Sequence, residues 1–250
     1  MPFCTNCGSR LEVESRFCVG CGKSNGTRPL PAVTAAAPAP APEPLDYTIQ
    51  GESLQLVRIR LKPGQDVFAE AGRMVYKFPE VHWEARPDRE FPGQTRFYAV
   101  SPSEVGFAGA FPGRIQAFDL KAGQSMLVAR EAFVCAQGTA RLDRGLATGD
   151  GFVLERLTGP GTLFVHAAGE FIEFALNPGQ VLEVSAASIV ALDESVRSQL
   201  QPDHGLLLAA LTGPGRVVIQ TRTIARAPSL STGEVQAALP AMTGTPVSVN

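Results

Sequence analysis

One five-residue phrase recurs three times in this chain and limits what it can fold into. Leu-x-(Pro/Ala)-Gly-Gln begins at Leu61 (LKPGQ), Leu120 (LKAGQ) and Leu176 (LNPGQ), at spacings of 59 and 56 residues. In each copy a large apolar residue followed by valine stands ten places after the glycine: Met74 after Gly64, Phe133 after Gly123, Ile189 after Gly179. A repeat of this length marks a small unit that must stack on its copies to bury its apolar face. Pro-Gly presets a turn, with glycine in the φ > 0 position. Flanking stretches such as SLQLVRIRL and FVLERL alternate with period two, the period of a strand. A second phrase, LTGPG, occurs at 157–161 and 211–215 ahead of β-rich runs and predicts type II turns. The expected body is therefore all-β, three related units in one sandwich or barrel. DESVRSQLQ at 193–201 is the one segment that reads as a short helix or turn.

The start of the chain is of another kind. Cys4 and Cys7 form one C-x-x-C and Cys18 and Cys21 a second, and these are four of the five cysteines. A C-x-x-C turn puts two sulfurs on one side of a tight loop, and two such loops enclose a tetrahedral Zn²⁺. Gly8 and Gly22 follow the pairs directly, so the chain can turn with backbone N–H groups aimed at sulfur. Two disulfides or four free thiols are the other readings, and disulfides need an oxidising compartment. Four thiolates leave no open position, so the expected zinc, one per chain, is structural. GKS at 22–24 is not the end of a phosphate-binding loop, because Phe17 stands where that motif needs glycine.

These pieces predict a zinc ribbon at 1–23, a Pro/Ala-rich linker at 24–45, a β body at 46–226 and a loose tail at 227–250. The formal net charge is -2, and a four-thiolate zinc site is itself anionic, which disfavours nucleic acid and anionic membranes as partners. The longest apolar run, LLLAAL at 206–211, is too short to span a membrane. MPFCTNC carries neither a signal-peptide nor a transit-peptide pattern, so a cytoplasmic protein is expected.

The Leu-x-Pro-Gly-Gln units, LTGPGTLFVHAAG and SIVALDESV, in this order, resemble the Altered Inheritance of Mitochondria family, member twenty-four, over roughly residues 47–225. The resemblance implies a fold like that of the tryptophan RNA-binding attenuation protein (TRAP), a TRAP-like β-sandwich of jelly-roll type, and a homo-oligomer, a trimer. It supplies no catalytic or cofactor-binding residues. Mitochondrial members carry a transit peptide and lack the cysteine module, so their inner-membrane role does not transfer directly.

Other residues that could carry chemistry have plainer readings. His82 and Glu84 in VHWE share a strand face and could bind a metal, but a solvated face with Trp83 packed inward fits as well. His166 in LFVHAAG reads as structural, and His204 in PDHG as an exposed turn residue. Cys135 in AFVCAQG reads as a small core residue. Glu170 and Glu173 flank a strand without a visible reason to face each other, and RPDRE at 86–90 reads as a surface loop. The expected function is a non-enzymatic oligomeric scaffold presenting a zinc ribbon to a protein partner. Nucleic-acid binding, and a small-molecule binder or enzyme, are the alternatives.

Overall fold

The computed structural model describes residues 3–4, 6–10, 17–23, 42–86, 93–147, 153–203 and 206–222. The chain divides into two compact units, Met1–Pro40 and Ala41–Asn250.

The larger unit opens with β1 (Asp46–Gln50) and continues as three modules of six strands. The first holds β2 (Leu56–Leu61), β3 (Asp66–Glu70), β4 (Met74–Lys77), β5 (Val81–Ala85), β6 (Gln94–Ala99) and β7 (Ser103–Ala108). The second holds β8 (Gly113–Leu120), β9 (Ser125–Ala129), β10 (Phe133–Gln137), β11 (Arg141–Ala147), β12 (Val153–Thr158) and β13 (Gly161–Ala168). The third holds β14 (Phe171–Leu176), β15 (Val181–Ser185), β16 (Ile189–Asp193), β17 (Arg197–Asp203), β18 (Leu206–Thr212) and β19 (Gly215–Gln220). The strand orders are β1-β2-β7-β4, β5-β6-β3-β10-β13-β8, β11-β12-β9-β16-β19-β14 and β15-β18-β17, and all the ladders are antiparallel. Each module thus makes two three-stranded sheets, and modules join where the second strand of one pairs with the third strand of the next.

The repeat phrase builds the same corner three times. Gly64, Gly123 and Gly179 sit at φ 87°, 76° and 78°, a region where a Cβ is strained. The following glutamine closes the turn twice. Its side-chain oxygen accepts from the backbone N–H of Lys62, Lys121 or Asn177, at 3.2, 3.1 and 3.0 Å. Its own N–H donates to the carbonyl of the same residue, at 3.0, 2.9 and 3.0 Å. Three-residue 3-10 turns at Ala71–Arg73, Arg130–Ala132 and Ala186–Ser188 then bend each second strand into the third. The third strands begin at Met74, Phe133 and Ile189, and each is bulged at the valine that follows.

Two hydrophobic clusters fill the body. One gathers Val57, Ile59, Phe97 and Phe107 of the first module with Val134, Cys135 and Phe164 of the second. The other gathers Met126, Leu157 and Leu163 of the second module with Ile189, Leu211 and Val217 of the third. Every residue of β13 is buried, as expected for a strand covered on both faces.

Of the two readings of the 193–201 segment, helix or turn, the turn holds: Val196 N–H donates to Asp193 O at 3.0 Å, and the chain continues into β17. The equivalent bonds Val81 to Phe78 (3.0 Å) and Ala140 to Gln137 (2.9 Å) close the same turn in the other modules. The position in the repeat decides where the local pattern is ambiguous. In LTGPG the Gly159–Pro160 and Gly213–Pro214 peptides are cis, so the turns are not type II, whose proline lies one place earlier and is trans. The start of the body also reaches into the segment read as linker. Leu45 is buried, Glu43 O accepts from Gln137 Nε2 at 2.8 Å, and Pro44 O accepts from Gln65 Nε2 at 3.2 Å. Residues 24–41 of the expected linker and the whole expected tail, 227–250, lie outside the described residues.

Candidate metal centre

The two cysteine pairs fold into matching knuckles. Gly8 N–H donates to Cys4 O at 2.9 Å, and Gly22 N–H to Cys18 O at 2.8 Å. Cys4 N–H then donates to Ser9 O at 2.8 Å, and Cys18 N–H to Lys23 O at 2.9 Å. Gly8 and Gly22 adopt φ of 71° and 70°, which is why each pair is followed by glycine. A bridge between Phe3 and Arg10 ties the ends of the first knuckle.

The four sulfurs converge. Cys4 and Cys21 Sγ are 3.8 Å apart, Cys7 and Cys18 Sγ 3.5 Å, and all four lie within 4.8 Å of one another. A tetrahedron of sulfurs at ~2.3 Å from a central ion has edges of about 3.8 Å, so the donor set fits a metal ion. Gly20 N–H points at Cys18 Sγ at 3.4 Å, the backbone support a thiolate ligand needs. Cys7 is pulled down to about 6 by the side chain and backbone N–H of Ser9. Cys4 is lowered by the backbone of Asn6 and then of Cys7. Cys18 is favoured as thiolate by Gly20 N–H, yet desolvation and the neighbouring Cys7 and Cys4 push it up to about 11. Without a cation, one sulfur of the cluster keeps its proton because its neighbours carry the charge. Among the described residues this is the group of cysteine, histidine and carboxylate side chains placed to hold a metal ion.

The other sequence candidates do not assemble into a site. Glu84 is taken by Arg96, whose guanidinium also binds Asp66, at 2.9 and 2.7 Å. His82 shares Glu84's strand face but stacks on Tyr98 at 5.6 Å. Trp83 is not packed inward: it is 59% exposed, because β5 is an outermost strand and Val81 is its one buried residue. Glu170 pairs with Arg114 at 2.6 Å, and Glu173 accepts from Gln116 at 2.6 Å, so these carboxylates tie β14 to β8 and do not face each other. Cys135 is fully buried, and burial pushes its thiol well above the ordinary value. His204 and residues 87–90 of the RPDRE loop lie outside the described residues.

His166 is the position whose surroundings the sequence did not disclose. It is buried, and among the described residues its Nε2 has no hydrogen-bond partner. Burial lowers its basicity, against a hydrogen bond to the Phe111 backbone. Beside it Glu131, Ala187 and Gln220 line a cavity of about 20 Å³, room for about one water molecule and far below a ligand pocket. The pattern alone, a histidine in an alternating strand ahead of a glycine turn, gave a structural reading but not the orphaned nitrogen.

The fold and the cysteine cluster together define a class: a tandem all-β repeat body accompanied by a small four-cysteine module. Residues 47–222 match the family described as Mitochondrial biogenesis AIM24, and the chain belongs to that family. Its body is similar to the crystal structure of protein SPYM3_0169 from Streptococcus pyogenes, with a TM-score of 0.63 at 21% identity, over 72% of this chain and 94% of that one. No curated protein matches the chain. Among the described residues no helix is long and apolar enough to cross a membrane.

Proposed function

We propose that this protein is a non-enzymatic, oligomeric binding protein that presents a structural zinc module to a protein partner in the cytoplasm. The observation that carries the reading is the pair of matching knuckles with four sulfurs at zinc-thiolate spacing. Cys4, Cys7, Cys18 and Cys21 would hold one Zn²⁺ per chain, and the ion would supply folding energy that so small a segment cannot obtain from a core. Four thiolates suit Zn²⁺ and leave no position for substrate. Phe3, Phe17 and Val19 on the module are 61%, 60% and 86% exposed. Apolar side chains on a metal-held turn suit a protein surface better than a phosphate backbone. Free thiols favour a reducing compartment. Copies of the module joined through the body would gain avidity for a multivalent partner.

Native mass spectrometry of the protein purified from its own host tests the reading. An oligomer with one zinc per chain and no other ligand is the expected result. Stoichiometric iron would overturn the choice of metal, and a bound nucleotide, lipid or metabolite would overturn the binding role. Filter binding at low salt separates out nucleic acid, for which no retention is expected.

A further inference from the structure

The two junctions inside the body are built alike. β3 pairs with β10, and β9 pairs with β16. Their register, counted from the turn glycines, is the same. Ala69, Phe68 and Val67 stand opposite Cys135, Ala136 and Gln137; Val128, Leu127 and Met126 stand opposite Ala191, Leu192 and Asp193. This scheme leaves one strand of each kind over. β15 ends its sheet beside β18, and β4 ends its sheet beside β7. Among the described residues neither has a ladder on its other side.

Burial differs there from the internal junctions. Val75, Val134 and Val190 hold the same bulge position in the three modules. Val134 and Val190 are 0% exposed and Val75 is 59% exposed. Phe78 and Val181, on the two leftover edges, are also more than half exposed. One hydrophobic cluster joins the first two modules; the other joins the second and third and takes in Phe68 of the first, and among the described residues no cluster is built on the two leftover edges.

We propose that a second copy of this chain supplies the missing partner: β15 of one chain pairs with β4 of the next, in the antiparallel register of the two internal junctions. Counted from Gly179 and Gly64, that register sets Val184 opposite Tyr76, Glu183 opposite Lys77, and Leu182 opposite Phe78. The middle pair identifies the occupant. It is apolar on both sides at both internal junctions, Phe68 with Ala136 and Leu127 with Leu192. At the leftover edges both positions are charged, and with opposite sign. Opposite charges directly across a ladder favour pairing and like charges oppose it. A charge on an edge strand also keeps unrelated strands away, so the pair admits its complement and excludes other edges. The contact is head to tail, so the chains close into a ring or continue as a helical array.

This deepens the oligomeric part of the proposed function, and its test is separable from the metal. Full-length chains carrying Lys77→Cys and Glu183→Cys are mixed, mildly oxidised and mapped by mass spectrometry. A disulfide between the two substituted positions on different chains is expected, with neither variant forming that link alone. Sedimentation equilibrium then follows charge reversal. Lys77→Glu or Glu183→Lys alone is expected to weaken assembly roughly five- to tenfold, and the two together in one chain to restore it. Circular dichroism on the same samples shows that the variants fold, and their zinc content reports the module separately. A monomer of 26.5 kDa at every concentration would overturn the proposal. So would an assembly indifferent to both charge reversals, or a disulfide closed within one doubly substituted chain.

Discussion

The cysteine module and the β body hold their chains by opposite means. In the body the large side chains go inside: Phe68, Phe97, Phe107, Phe133 and Phe164 are all but inaccessible. In the described part of the module the buried residues are Cys4 and Cys18, while Phe3, Phe17 and Val19 face outward. One region is shaped by apolar burial and the other by four ligands aimed at a common point. A segment freed from having to bury its own apolar side chains can carry them on its surface.

The largest effect expected from this contrast follows removal of the metal that the four cysteines are proposed to hold. Structural zinc in small modules is worth about 10–16 kcal/mol of apparent binding free energy. Cys18→Ser, or a chelator, should therefore unfold the module and leave the body intact. Amide hydrogen exchange would show the N–H groups of Cys4, Gly8, Cys18 and Gly22 losing protection while those of β13 keep theirs. Loss of protection in β13 would break the comparison. The converse substitution, Phe164→Ala, removes a fully buried ring stacked edge-on against Tyr47 at 4.9 Å. It should cost the body about 3–5 kcal/mol, read from urea unfolding, with the metal content unchanged.

A smaller effect distinguishes charge from packing within the body. Glu104 accepts from Arg58 at 2.8 and 2.9 Å and from Tyr76 Oη at 2.6 Å. The Arg58 hydrogen bonds and then that of Tyr76 hold its carboxyl below the ordinary value. A depressed carboxyl stabilises the fold above its unfolded pKa, and that contribution is lost as pH falls through the folded one. Glu104→Gln should thus cost about 1 kcal/mol near neutral pH, the Arg58 side being partly solvated. The gap to the unsubstituted protein should close on acidification below the usual carboxylate range, and a gap independent of pH would reject the account. The smallest effect belongs to the turn. Gln124→Ala removes an exposed bond to Lys121 N–H and should cost below about 1 kcal/mol, seen as a slight fall in melting temperature.

The parts of this molecule that could be read from its sequence are those whose chemistry is local. Leu-x-Pro-Gly-Gln states a turn because Gly64, Gly123 and Gly179 need positive φ and the glutamine bonds three residues back. The cysteine spacing states a donor set for the same reason. The junctions could not be read, because β3 and β10 meet through backbone groups that any sequence carries. The 193–201 segment was ambiguous because its charged residues suit a helix end as well as a tight turn, and its place in the repeat decided. Trp83 was misplaced because a period-two pattern gives the face of a strand and not whether anything covers that face. Nor could the surroundings of His166 be seen, since its neighbours Glu131 and Gln220 come from a 3-10 turn earlier in its module and from the last strand of the third module.

The order in which the modules interlock also sets a timetable for the chain as it is made. The carbonyl of Glu43 is satisfied by Gln137, 94 residues later, which is on the order of ten seconds of translation at ordinary elongation rates. β3 waits in the same way for β10, and β9 for β16. No module can be finished while it is the newest one out of the ribosome, because its second strand is completed by the module that follows. The nascent body therefore carries a raw edge at its growing end, and among the described residues β15 is the strand that keeps one.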